Sequence, residues 1–220
     1  RPNQAFWTLS ALWSGWLWGH AAVGPFKSVL RRRRYDWQWH AVALKALFVN
    51  LVDILGPDVP FFGILAEPET SFISAAFLAA QTAGLEIKGL AMRSESEPFQ
   101  ILWKKAISGQ NSASKSGPTS EDRKKKTLSL DVNYTGKLIR DILEKNTQPM
   151  IYLHLHGSIL AALAKKGMLQ WSDDSLSVLE KNIHAALAFP EFVDLEGRTS
   201  PETGRWALKK WDHQGTLKGL

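Results

Sequence analysis

The chain has 220 residues, 45% of them hydrophobic, and is long enough for one fair-sized domain or two small ones. Its 27 Lys and Arg against 21 Asp and Glu give a net charge of +6, which favours polyanionic partners without identifying one. The absence of Cys excludes disulfide frameworks, thiolate catalysis and Cys-ligated zinc sites, and fits a cytoplasmic location. Because the first residue is Arg1 and not Met, we expect a fragment that was processed or cut from a longer sequence.

The first apolar segment, residues 5–26, contains no Asp, Glu, Lys or Arg and precedes an arginine run, as a membrane anchor with cytoplasmic arginines would. Polar residues and glycines interrupt this segment, however, and its tryptophans are spread along its middle. Within residues 5–18, aromatic and leucine side chains recur at spacings of three and four, which predicts a helix with a wide aromatic face. Such a face usually belongs to a core, so we expect a buried helix and no membrane partner.

Helices and strands are predicted to alternate over the next part of the chain. Leucines at helical intervals predict a helix at residues 37–55, and the apolar run 61–65 predicts a strand buried on both faces. An alanine-rich helix is predicted at 71–83, capped by the hydroxyl of Thr70 or Ser71. Residues 85–92 and 99–103 predict two strands of an antiparallel hairpin, since the polar turn between them is short.

A change of composition divides the chain. Residues 107–130 are rich in Ser, Gly, Asn, Pro and Lys, and contain too few apolar side chains to offset the entropy of ordering. We predict a flexible basic linker there. It separates a partial α/β domain, residues 1–106, from a second module, residues 131–220.

The second module is predicted to be mostly α-helical. Apolar periodicity indicates three helices followed by two short strands, at residues 134–144, 151–165, 175–188, 192–195 and 205–208. Three helices with a C-terminal β-hairpin make the winged-helix arrangement, a variant of the helix-turn-helix.

A family resemblance rests on element order and three short segments. The segments are RPNQAFW at residues 1–7, FFGIL at 61–65 and ETGRW at 202–206. Residues 36–105 resemble the C-terminal end of the Rossmann-like S-adenosylmethionine-dependent methyltransferase fold, whose sheet finishes with helix, strand, helix and an antiparallel strand hairpin. The three segments are similar to large bacterial adenine-specific DNA methylases. The resemblance implies DNA as a partner and S-adenosylmethionine as cofactor of the parent protein.

This sequence departs from the family in its cofactor half. The Gly-rich loop for the cofactor and the acidic residue for its ribose belong to the first two strands of the fold, and neither is found here. No Asp/Asn-Pro-Pro-aromatic catalytic motif occurs either; in the family the RPN stretch follows directly after the catalytic loop. We therefore expect this segment to bind no cofactor and to methylate nothing by itself, with both functions supplied by the rest of the parent chain.

Basic residues beside aromatic ones are the best nucleic-acid candidates. In the first domain they are Arg31, Arg32, Arg33, Arg34, Tyr35 and Trp37. Their charges would pair with phosphates and their rings would stack on exposed bases. A solvated arginine loop, with Trp37 packed inside its helix, explains the same residues equally well.

The winged-helix-like module offers a second set of basic residues. Lys165, Lys166, Arg198 and Arg205 would contact a duplex backbone, although the acidic residues of this module leave protein docking open.

Glu67 and Glu69 follow a predicted strand, but alternate residues of a turn point apart and are usually exposed. His154 and His156 are spaced i, i+2, which does not place both on one helix face, and so argues against a metal pair. For His40 we expect a core position with a hydrogen bond.

Two hypotheses follow. The leading one is the C-terminal segment of a DNA methyltransferase-like protein, which contributes nucleic-acid contacts while the parent's other half supplies cofactor and catalytic groups. The alternative is a non-enzymatic scaffold or interaction subunit that binds protein partners through a Trp-rich surface and the winged helix.

Overall fold

The computed structural model describes residues 4–24, 26, 37–65, 69–92, 98–106, 131–172, 174–197 and 200–211, without the side chains of residues 4–7. These ranges form a mixed α/β structure with six α-helices and two small antiparallel sheets. Within them, no helix combines the length and the apolar character needed to cross a bilayer. The predicted linker, residues 107–130, lies outside the described residues.

The N-terminal helix α1, Gln4–Trp18, ends at Gly19, whose φ of 82° suits a residue without a side chain. It packs mainly against the 3-10 helix His20–Val23 that follows. We predicted that the aromatic face of α1 lies in the core. For the described side chains this prediction is wrong, because the short 3-10 helix covers little of α1. The large exposed side chains of α1 are Leu9, Leu12, Trp13, Trp16, Leu17 and Trp18.

The first sheet follows the predicted order of elements, which are α2 Trp37–Ile54, β1 Pro60–Leu65, α3 Thr70–Thr82, β2 Leu85–Ala91 and β3 Phe99–Lys105. Its strand order is β1–β3–β2, and β3 runs antiparallel to both neighbours. The predicted antiparallel pairing of β2 with β3 is confirmed. Since both outer strands oppose β3, they are parallel to each other, and α3 is the connection between them.

One face of β1 is packed and the other is open. Phe61 stacks on the Trp103 ring of β3 at 5.5 Å, and Phe48 of α2 contacts both rings. Phe62 and Ile64, which alternate with the packed positions, are 53% and 60% exposed. The prediction of a strand buried on both faces is therefore wrong for the described part of the chain, because packing reaches only alternate side chains.

Helix α3 lies in the middle of the structure. The alanines Ala75, Ala76, Ala79 and Ala80 are fully buried, and the helix contacts α2 on one side and the C-terminal helices on another. Small side chains permit this close approach. The helix begins at Thr70 after an N-cap Glu69 that makes no side-chain cap bond, so the predicted cap at Thr70 or Ser71 is wrong.

The C-terminal module contains the three predicted helices and the predicted hairpin, together with one strand that was not predicted. Its elements are α4 Val132–Asn146, β4 Met150–Ile151, α5 Tyr152–Lys165, α6 Ser175–Leu187, β5 Phe192–Asp194 and β6 Arg205–Leu208. Its strand order is β4–β6–β5, with antiparallel pairs. Ile151, predicted as helical, pairs with Arg205 in this sheet.

A single cluster of buried side chains runs from Phe48 to Leu208 and includes both sheets. Helix α5 packs on α3 and β2. Its Gly157 lies against the Phe99 ring of β3, where any Cβ would overlap that ring. The two parts on either side of residues 107–130 thus share apolar contacts. Their division into two domains stays a prediction.

Candidate functional site

A buried hydrogen bond joins the two parts of the chain. The Ser74 hydroxyl of α3 lies 2.8 Å from Nε2 of His156 on α5, and the two residues are 3% and 1% exposed. Burial lowers the pKa of His156 to about 3, so the ring is neutral near pH 7. A serine beside an imidazole is also the arrangement of an activated nucleophile. Because both groups are buried, we assign this pair to the docking of α5 on α3.

Four polar side chains form a second group, the His184 cluster, which comprises Tyr152, Glu180, His184 and Glu202. Nε2 of His184 lies 2.9 Å from the Tyr152 hydroxyl and 3.7 Å from Oε1 of Glu202. Glu180 and His184 are four residues apart on α6, which places them on one helix face. Tyr152, at the start of α5, is 1% exposed, whereas Glu202 is exposed, so the cluster extends from the interior to the surface.

Local structure fixes Glu202 opposite α6. This residue lies in the 3-10 helix Pro201–Thr203, where its backbone N–H donates to the Ser200 hydroxyl. The indole N–H of Trp206 donates to the Pro201 carbonyl at 2.9 Å, which ties the turn to β6. The position of Glu202 therefore depends on the second sheet.

The electrostatics of the His184 cluster follow from burial and from its paired carboxyl groups. The pKa of Glu180 is raised, first by burial and then by its hydrogen bond to Glu202 and that group's charge. Burial, together with the carboxylates of Glu202 and Glu180, also raises the pKa of Tyr152, which keeps its proton. The cluster thus combines a neutral hydroxyl, an imidazole and two carboxyl groups whose charges repel when both are ionised.

The donor set of this cluster is one that divalent metals use. Glu180, His184 and Glu202 each offer one ligand atom, and these atoms all lie within 4.8 Å of one another. His154 and His156, the pair considered from the sequence, do not belong to this group, and His156 is bonded to Ser74.

The exposed side of α1 forms an apolar groove of about 240 Å³, lined by Leu9, Leu12, Trp13 and Trp16. The rings of Trp13 and Trp16 meet edge to face, with centroids 5.4 Å apart. Open apolar surfaces of this kind are typical of sites that contact another apolar surface.

The predicted nucleic-acid residues of the first domain are only partly described. Arg31, Arg32, Arg33, Arg34 and Tyr35 lie outside the described residues. Trp37 is half-buried and stacks on Phe72, with ring centroids 5.3 Å apart and planes at 22°. This contact favours the packing explanation for that ring, while the role of the arginines stays a prediction.

In the C-terminal module two of the predicted basic residues, Lys166 and Arg205, interact within the protein. Lys166 donates to the Tyr134 hydroxyl at 2.7 Å, and Arg205 lies 3.6 Å from Glu196. Lys165 is exposed near the end of α5, and Arg198 lies outside the described residues. Nucleic-acid contact through these residues also stays a prediction.

The remaining residues considered from the sequence are Glu67, Glu69 and His40. Glu67 is not described, and Glu69 is exposed at the start of α3. His40 is half-buried beside the Phe72 ring, burial lowers its pKa, and its Nδ1 has no hydrogen-bond partner, so the bond expected in the core is not found at that atom.

Sequence reasoning did not single out Ser74, Tyr152, Glu180 or His184. The i, i+4 spacing of Glu180 and His184 was the available signal, since it is the usual spacing of two metal ligands on a helix. Comparison with known proteins gives no match among family models, curated proteins or solved structures.

Proposed function

We propose that this chain is the C-terminal segment of a larger methyltransferase-like protein that acts on DNA, and that its first sheet continues beyond β1 into the rest of the parent chain. The proposal rests on the pairing and the exposure of strand β1. Within the described residues this strand pairs with β3 alone, and its Phe62 and Ile64 side chains are exposed. Proteins rarely leave such an edge strand uncovered, because it templates aggregation.

The connection between strands supports the same proposal. Parallel strands β1 and β2 joined by α3 make a β-α-β unit, with β3 inserted between them. Sheets built from such units are normally covered on both faces, yet the outer side chains of β1 are open. A neighbouring strand and a covering helix from the parent would complete this edge. The parent would also supply S-adenosylmethionine and the catalytic loop.

The contribution of this segment would be contact with DNA through the arginine run. Four arginines that neutralise four phosphates give a salt slope of about −3 to −4 on logarithmic axes. Affinity should then fall roughly 50- to 150-fold between 50 and 200 mM salt.

Fluorescence anisotropy with labelled single- and double-stranded DNA tests this proposal on the whole chain. Replacement of Arg31, Arg32, Arg33 and Arg34 by serine should abolish most of the binding and its salt dependence. The matched control replaces the four consecutive basic residues 123–126 by serine, removing the same charge elsewhere. No salt-sensitive binding by the native chain, or an equal loss in the control, would contradict the proposal.

A second candidate function is protein interaction, and the exposed aromatic surface of α1 favours it. Trp16 and Trp18 are 76% and 71% exposed, which is unusual for rings of this size unless another surface covers them. Size-exclusion chromatography with light scattering should then show self-association that a Trp16→Ser change reduces. A native chain that elutes as a monomer at all concentrations, and captures no partner, speaks against this function.

The C-terminal module is compatible with protein binding as well as with DNA contact. Its helices and three-stranded sheet resemble a winged helix in order. However, the third helix of the module, α6, packs against α4 and α3. On the β5–β6 hairpin, which is the proposed wing, Glu196 lies beside Arg205. Arg205 and Lys210 are thus paired with Glu196 and Glu144, whereas Lys165 is exposed and available to either kind of partner.

A further inference from the structure

We propose that Glu180, His184 and Glu202 bind one divalent transition-metal cation, with Zn²⁺ the ion that suits the donors, and that this cation fastens the 3-10 helix Pro201–Thr203 to α6. This site is separate from the DNA contacts proposed above and does not depend on them.

The geometry needs little adjustment. Ligand atoms about 2.0–2.2 Å from a tetrahedral zinc ion are roughly 3.3–3.6 Å from one another. Nε2 of His184 and Oε1 of Glu202 are already 3.7 Å apart, and the three ligand atoms lie within 4.8 Å. A shift of about 1 Å, within the reach of a glutamate side-chain rotation, brings the set to coordination distances.

Tyr152 lies on the inner side of the cluster. Its hydroxyl is buried, with the residue 1% exposed, and it lies 2.9 Å from the same His184 nitrogen that would bind the ion. Because this nitrogen has one lone pair, the cation would take the place of the Tyr152 hydroxyl as its partner. This hydroxyl closes the inner side of the cluster with an oxygen atom. Glu202 lies at the exposed side, so an aqueous cation can enter and a water molecule can complete its coordination.

The charges and donor types select the class of ion. The Glu180 and Glu202 carboxylates repel each other when both are ionised, and a cation between them replaces this repulsion with attraction. An imidazole nitrogen in the set disfavours Mg²⁺ and Ca²⁺, which prefer oxygen ligands, and suits Zn²⁺. Three protein ligands with one open position is a common zinc arrangement.

Isothermal titration of the metal-stripped 220-residue chain with ZnCl₂ tests the site. We expect one ion per chain with a dissociation constant of about 1 µM or tighter, weaker than four-ligand structural sites. At a free Zn²⁺ concentration one hundred times that constant, Tm should rise by about 5–10 °C.

Matched variants identify the ligands. Glu180→Gln, His184→Gln and Glu202→Gln should each weaken binding by roughly tenfold or more and remove the rise in Tm. The controls His20→Gln and Glu196→Gln, which change the same residue types outside the cluster, should bind as the native chain does. Circular dichroism without metal shows whether each variant is folded, and the proposal is judged on the folded ones.

Three results would overturn the proposal. They are an absence of saturable Zn²⁺ binding, an equal loss of binding in the control variants, and displacement of Zn²⁺ by millimolar Mg²⁺. The last result would identify an ordinary pair of surface carboxylates.

Discussion

Mild acid should destabilise this protein through one buried histidine. The pKa of His156 falls from 6.5 to about 3 on burial, so between these values the unfolded chain binds a proton that the folded chain does not. The stability provided by neutral His156 is complete above pH 6.5 and is lost as the pH falls below it, by about 1.4 kcal/mol per unit. From pH 7 to pH 5 the loss is about 2 kcal/mol.

Other groups titrate in the same range, so the test is a comparison of variants. The raised pKa of Glu180 has the opposite effect, because the folded chain then holds its proton more tightly and gains stability as the pH falls. The double variant Ser74→Ala/His156→Leu removes the buried imidazole together with the hydroxyl bonded to it, so neither of these two groups is left unpaired. His20→Gln, at an exposed position, is the control.

Urea unfolding followed by tryptophan fluorescence at pH 7 and pH 5 gives the required free energies. Between pH 7 and pH 5, the free energy of unfolding of the native chain and of the His20→Gln control should each fall by about 2 kcal/mol more than that of the double variant. If the double variant loses as much as the native chain, His156 is not held neutral by burial, and the docking of α5 on α3 through this pair is refuted.

Three further substitutions test the packing. Ile101→Ala should lower the free energy of unfolding by about 2–5 kcal/mol, because this side chain is 0% exposed in β3; a loss under 1 kcal/mol in urea would be inconsistent with its position. Trp16→Ser should lower it by no more than about 1.5 kcal/mol, since the ring is 76% exposed and contacts the Trp13 ring edge to face; a loss above about 3 kcal/mol in the same assay would indicate a buried ring. Gly157→Ala should destabilise by up to about 2 kcal/mol, because overlap with the Phe99 ring outweighs the helix preference of alanine. Its control, Ser158→Ala in the same helix, should be near neutral by thermal unfolding, and equal effects of the two changes would contradict the contact.

Local patterns were sufficient to locate most helices and strands. The leucine spacing behind α2, the alanine-rich α3 and the apolar periods of α4 to α6 all predicted helices that the structure contains. The pairing of β2 with β3 was also predictable, because a short polar connection favours antiparallel neighbours. The pairing of β5 with β6 was predicted from two short apolar runs on either side of a polar turn. These features depend on residues close together in the chain.

Long-range contacts decided what the patterns could not. The spacing in α1 correctly predicted a helix, but whether an aromatic stripe is buried depends on a partner, and Trp16 remains exposed. β4 has only two residues, and it is a strand because Met150 pairs with Trp206, far along the sequence. No local signal in so short a segment could have indicated it.

The amino-acid sequence alone determined which segments are amphipathic, where turns interrupt them, and that Glu180 and His184 share a face of α6. Only the tertiary structure brought Tyr152 and Glu202 to that face, and joined Ser74 to His156 across 82 positions. The reason is physical: hydrogen-bond and apolar periodicity act over a few residues, whereas the meeting of distant side chains depends on how whole helices and sheets pack.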